Sequence, residues 1–186
     1  MAWLRRDRAQ IPGRSYGDPA PERSEGPSSW EELFELAAEL TPHVLIGDVR
    51  ESVKKLRGHT LEKQWLRRTW ECLEALEAYA DAKEEHGAAE VPHFSAYLKW
   101  PKATVLVPAM YYADSETSYV RRTNMYAETR LFEAAGLGKV HMWSHFRIGS
   151  GQPPAPRMHL LDDTCGKTKK IHIGYIGPHL PNPKTN

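Results

Sequence analysis

Hydrophobic positions along this chain follow two rhythms in succession. From Ser29 onward apolar residues recur every three or four positions, and from Gly138 onward they alternate with polar ones. The first rhythm predicts helices, because 3.6 residues per turn stacks such positions on one face; the second predicts strands, whose side chains alternate between two sides. Residues 1–29, rich in Arg, Pro, Gly and Ser, carry neither period and read as a disordered leader.

The helical half divides at its breakers. Ser29 with Glu32 forms a capping-box pattern, and Trp30, Leu33, Phe34, Ala37, Ala38 and Leu40 follow at helical spacing until Thr41 and Pro42. A second short helix is expected from Asp48, carrying Val49, Val53 and Leu56 and ending at Gly58. Residues 60–86 contain neither Gly nor Pro and predict the longest helix, roughly 40 Å at 1.5 Å per residue. Its stripe of Leu61, Trp65, Leu66, Thr69, Trp70, Cys72, Leu73, Leu76, Tyr79 and Ala80 is wide enough to pack on two neighbours. Beyond Pro92, FSAYLKW and TVLVPAMYY are aromatic and β-branched and predict a strand ended by Pro108. Residues 114–118 read as a loop. Asn124 and Gly136 bracket a helix over 124–135, although YAETRLF also suits a strand.

In the last third, KVHMWSHFRI, PRMHLLD and KKIHIGYI are three strand candidates separated by GSGQPPAP and DTCGKT, which predicts a β-meander. The expected fold is α+β: one domain over 30–186, with a helical N-terminal layer (30–100) packed on a C-terminal antiparallel β-meander (138–176) and an extended tail (177–186).

Composition narrows the setting. A chain of 186 residues holds one core. No window approaches eighteen apolar residues, and the first residues run into charge without an apolar signal segment, so no membrane association is expected. Cys72 and Cys165 alone cannot form a disulfide framework or a four-cysteine zinc site, and a cytoplasmic location follows. The formal net charge of +1 conceals an asymmetry: residues 139–186 hold seven Lys and Arg against Asp162 and Asp163, leaving an acidic remainder. A basic module on an acidic body suits a polyanionic partner, RNA or DNA.

Alternation divides the strands into two faces. Val140, Met142, Ser144, Phe146, Ile148, Met158, Leu160, Ile171, Ile173 and Tyr175 fall on the core side. Pairing Leu161 with Lys170 across DTCGKT also sets His159 opposite His172. The outer face would then gather His141, Trp143, His145, Arg147, Arg157, His159, Lys170 and His172, with Gly174 leaving room for a ligand. Guanidinium and ammonium groups hold phosphate, imidazoles move protons near neutral pH, and an indole can stack a base. These are the parts of a metal-independent ribonuclease: His145, His159 and His172 as acid or base, with Arg147, Arg157, Lys170, Trp143 and His141 binding the nucleic acid. Over about residues 60–176 the element order, helices and then an antiparallel sheet with its functional groups on one face, resembles the RelE-like and barnase-like ribonuclease architecture, without a shared motif. No cofactor and no metal are expected. The competing reading is a non-catalytic interaction protein that docks a partner through a helical surface carrying Trp30, Trp65 and Trp70.

Several motif-like strings fail on their own chemistry. His141 and His145 are four apart, but Met142 replaces the acid of HExxH, and on a strand that spacing is roughly 13 Å. Gly166-Lys167-Thr168 lacks the preceding P-loop glycine, since Leu161 stands there. Asp162 and Asp163 could hold magnesium with Glu128, but paired acids at a hairpin entrance are turn formers, and Ser144 beside His145 has no nucleophile elbow.

Overall fold

A computed structural model describes residues 26–151 and 153–183. Most of the expected leader, residues 1–25, lies outside the described residues; within the remainder Pro27 is already buried.

Helix α1 (Trp30–Leu40) starts at Ser29, whose Oγ accepts from the Glu32 backbone N–H at 3.2 Å. Only half of the capping box forms, because the Glu32 carboxylate takes the Ser28 N–H and hydroxyl instead. After Thr41 the chain extends as β1 (Val44–Ile46), a strand too short to show a period and absent from the sequence reading. Helix α2 (Arg50–Lys54) follows, and then the expected long helix, α3 (Glu62–His86), which ends at Gly87 with φ +82°. FSAYLKW, expected as strand, instead forms α4 (Phe94–Tyr97), with His93 Nδ1 capping the Ala96 N–H at 3.2 Å. The physical reason is spacing: Phe94, Tyr97 and Trp100 recur every three residues, a helical interval that aromatic composition masked.

Of TVLVPAMYY, only Tyr112 reaches a strand, β2 (Tyr112–Ala113). Helices α5 (Ser118–Arg122) and α6 (Asn124–Ala127) come next. The helix expected over 124–135 stops early. A 3-10 turn leads into β3 (Leu131–Ala134), which pairs across Gly136 (φ +79°) with β4 (Gly138–His141), and this hairpin pairing overrides the local helix bracket. The chain closes with β5 (Ser144–Arg147), β6 (Arg157–Asp162) and β7 (Ile171–Gly177).

The fold is α+β. Its five-stranded sheet runs β1-β7-β6-β5-β2, with β5, β6 and β7 forming the expected meander and β1 lying parallel to β7, which makes the sheet mixed. Strands β3 and β4 form a separate two-stranded sheet, so KVHMWSHFRI is two strands broken at Met142 and Trp143. The Met142 N–H donates to the Arg130 carbonyl at 2.9 Å, turning the chain from hairpin to main sheet. No helix among the described residues is long and apolar enough to cross a membrane.

Phe146, Met158, Leu160, Ile171, Ile173 and Ile176 of the sheet's inner face share one core with Trp30, Leu33, Val53, Leu73, Leu76 and Phe94 from the helices. The β3–β4 hairpin presses on the opposite face. A Cβ on Gly174 would lie 2.5 Å from Phe132 Cβ and 2.6 Å from Met142 Sδ, so the space left by this glycine is filled by the protein itself and not by a ligand.

Candidate functional site

Strand register decides which polar side chains meet. On β5 and β6, His145 stands opposite His159 and Arg147 opposite Arg157; on β7, Tyr175 stands opposite His159 and Gly177 opposite Arg157. Four of the eight expected residues therefore form a two-by-two array on the outer face, His over His and Arg over Arg.

The remaining four do not join that array. Leu161 pairs with His172, not with Lys170, and a bulge at His159 and Leu160 shifts the register further, so His159 and His172 are not partners. The turn is shifted one residue along the chain from the assumed one, and Asp163 spans it: its Oδ2 accepts from the Thr168 N–H and hydroxyl at 2.6 Å each, and its N–H donates to the Lys170 carbonyl. His172 is buried at 2% exposure with Nε2 2.7 Å from the Thr168 hydroxyl. Lys170 Nζ donates to the Pro42 carbonyl at the β1 side of the sheet. His141 and Trp143 stack on each other, ring centroids 4.6 Å apart and 7° from parallel. The three-histidine catalytic set expected from the sequence is thus reduced to a pair.

That pair is covered, not open to solvent. His145 is 8% exposed and His159 1%. Phe132 of the hairpin lies 6.1 Å from the His159 ring and stacks on Tyr175 at 5.5 Å. The two imidazoles sit with centroids 5.0 Å apart. His145 Nδ1 donates to the Trp143 carbonyl at 3.2 Å and His159 Nδ1 to the Met142 carbonyl at 3.0 Å. A carbonyl only accepts, so each proton resides on Nδ1 and each lone pair on Nε2. Burial lowers the pKa of His145 against an opposing pull from Glu116, and burial followed by the neighbouring His145 holds His159 well below the usual histidine range. Both are neutral at physiological pH.

Two further residues, unmarked in the sequence reading, complete the constellation. Glu116, from the loop before α5, places a carboxylate oxygen within 4.8 Å of an imidazole nitrogen of each histidine. Arg130, 1% exposed, holds that carboxylate through Nε and Nη2, both 3.0 Å from Oε1, and donates from Nη1 to the Tyr126 and Pro181 carbonyls and the Thr129 hydroxyl. Glu116 sits in a polar loop without periodicity, and Arg130 fell within the expected helix, so neither gave a signal.

The arginine rung is unusual in its partners. Arg157 Nη1 donates to the Gly149, Ala155 and Pro156 carbonyls, while its buried Nε has no partner. Burial, then the facing Arg147, lowers its pKa to about 10. Arg147 is exposed and donates to the Met110 carbonyl at 2.7 Å. Among the described residues neither guanidinium meets a carboxylate. A cleft of about 440 Å³ lined by Phe34, Val44, Leu45 and Arg50 lies by β1 and includes none of these groups.

No protein-family model matches the chain, and no curated protein or solved structure matches it. The likeness of element order to RelE-like and barnase-like ribonucleases accordingly has no structural match behind it, and function is argued from the site alone.

Proposed function

We propose that this protein binds the phosphate groups of a nucleic acid at the Arg147–Arg157 rung, beside the His145–His159 pair. The observation that carries the reading is a like-charged pair directly opposite across two strands, with no carboxylate in direct contact among the described residues, only the more distant pull of Glu116 on Arg157, and one buried donor unsatisfied. Like charges placed so are destabilising, and an orphaned buried donor costs about 1–3 kcal/mol. A phosphate oxygen bound between the guanidinium groups answers both, since it brings negative charge and hydrogen-bond acceptors. Exposed Arg147 gives the anion a way in, and the excess of positive charge over 139–186 favours its approach.

Recognition is better supported than metal-independent cleavage. Cleavage needs a base and a protonated acid together, whereas burial keeps both imidazoles neutral and His172 stands apart. The interaction-protein alternative loses its surface: Trp30, Trp65 and Trp70 are 1%, 3% and 7% exposed and belong to the protein's own core.

The test is anisotropy of labelled single-stranded RNA and of duplex DNA, titrated in EDTA over a salt series. Log affinity should fall linearly with log salt, and Arg147→Ala should weaken binding for every sequence and reduce the slope by about one. The same substitution, by removing a repulsion, should leave unfolding free energy unchanged within about 1 kcal/mol. Wild-type affinity at low salt no better than that of the Arg147→Ala, Arg157→Ala double variant would remove the proposal. RNA left intact in EDTA is the result expected of a binder.

A further inference from the structure

We infer that Glu116, His145 and His159 form a site for one divalent transition-metal ion of the zinc class, with three protein ligands and a position left open. This goes beyond phosphate recognition and does not depend on it.

The ligand set is assembled from three separate elements, the loop before α5, β5 and β6, and the three donor atoms already lie within 4.8 Å of one another. Coordination at about 2.0–2.1 Å in a tetrahedron needs them roughly 3.4 Å apart, so closure by little more than about 1 Å suffices. The outer partners are those a metal site requires. A histidine ligand donates its other ring N–H to a carbonyl or carboxylate, which fixes the tautomer and the ring plane. Both imidazoles do so here, through Nδ1 to Trp143 and Met142, and among the described residues that is the single hydrogen bond each makes. The carboxylate is likewise held, by buried Arg130. Two neutral imidazoles and one carboxylate make a nitrogen and oxygen donor set suited to zinc, or to iron(II) in the same arrangement.

A second acid and histidine group, His43 with Glu77 and Asp81, also satisfies the distance requirement. It is less suited, because its Nδ1 is committed to Glu77 at 2.7 Å and it offers only one imidazole. It supplies the control. Along one strand His141 and His145 are too far apart to share a metal, and the cross-strand alternative the sequence offered, His159 with His172 and Asp162, Asp163 or His145 as third ligand, fails because the register sets His159 opposite His145 and Tyr175.

The experiment titrates zinc alone, without phosphate or nucleic acid, into chelator-treated full-length protein by calorimetry, with cobalt as the optical probe of coordination. One equivalent should bind and raise the melting temperature. Glu116→Gln and His145→Gln, each checked for folding by circular dichroism, should weaken binding by about 100-fold or more, beyond what losing an outer hydrogen bond costs. His43→Ala should bind as wild type does. Absence of saturable binding to the wild type, survival of binding in both folded variants, or its loss in His43→Ala overturns the inference. Should neither variant fold, zinc X-ray absorption of the loaded wild type decides: two imidazoles with oxygen uphold the site, and a thiolate or a single imidazole overturns it. RNA binding measured in EDTA stands apart from this result, so failure of the metal site and failure of phosphate recognition remain distinguishable.

Discussion

The two faces of the five-stranded sheet are both covered over much of their area, but with opposite chemistry. Beneath α3, Phe146, Met158, Leu160, Ile171, Ile173 and Ile176 are at most 1% exposed and belong to one continuous hydrophobic core. Beneath the β3–β4 hairpin, His159 and His172 are at most 2% exposed, and each polar group needs a named partner: a carbonyl for each Nδ1 of the histidine pair, a hydroxyl for His172, a carboxylate for Arg130. An apolar face is satisfied by contact alone, whereas a covered polar face is satisfied only pair by pair. Pairing fails at the buried Arg157 Nε, beside the exposed Arg147, which is where the proposed phosphate would supply the missing acceptor.

The comparison breaks most sharply at Arg130. Arg130→Ala leaves the Glu116 charge uncompensated in a largely buried setting and should cost about 3–5 kcal/mol in a denaturant melt. Leu160→Ala on the apolar face should cost about 2–5 kcal/mol by the same measurement, through lost transfer energy and a cavity. A loss near zero for Arg130→Ala would mean that the outer face is wet and its ion pair incidental.

Gly174→Ala probes the covering of the outer face directly. Its added methyl meets Phe132 and Met142, so overpacking should cost about 1–3 kcal/mol and loosen the hairpin, visible as faster amide exchange over 131–141. Unchanged stability and exchange would show that the hairpin does not press on β7.

The smallest effect comes from one tyrosine on each face. Burial pushes both Tyr112, in the inner aromatic cluster, and Tyr175, beneath Phe132, up to about 12 from 10.0. A raised folded-state pKa contributes stability that is complete below pH 10 and lost as pH rises toward 12. Phenolate absorbance should show both titrating late, with Tyr79, pushed up further by burial and its hydrogen bond to Asp162, later still, and Tyr175→Phe should remove one of the late steps. Ionisation of Tyr175 near 10 would place the outer face in water.

Much of this was legible along the chain because local signals acted alone. Helix α3 is specified by a long run without Gly or Pro, its exit by Gly87, α1 by the Ser29 cap, and β5, β6 and β7 by clear alternation. The same alternation put His145, Arg147, Arg157 and His159 on one face, as found. What it left open is what lies on the other side of that face and how far the strands slide. Alternation has period two and is blind to register, so the sequence could not distinguish His159 opposite His172 from His159 opposite Tyr175; the Asp163 turn and the bulge did that. Nor could it bring Glu116 to the histidines, assign Arg130 to hold it, or fold 131–141 back over β7, because each is a contact between segments whose own patterns are silent about one another. Local periodicity thus determined α1, α3 and the meander strands with the polarity of most of their positions, though not β1, α4 or β3, nor Tyr175, which lies with Phe132 on the outer face. The tertiary structure alone decided which polar groups meet, since that depends on strand register and chain crossing, which leave no periodic trace in sequence.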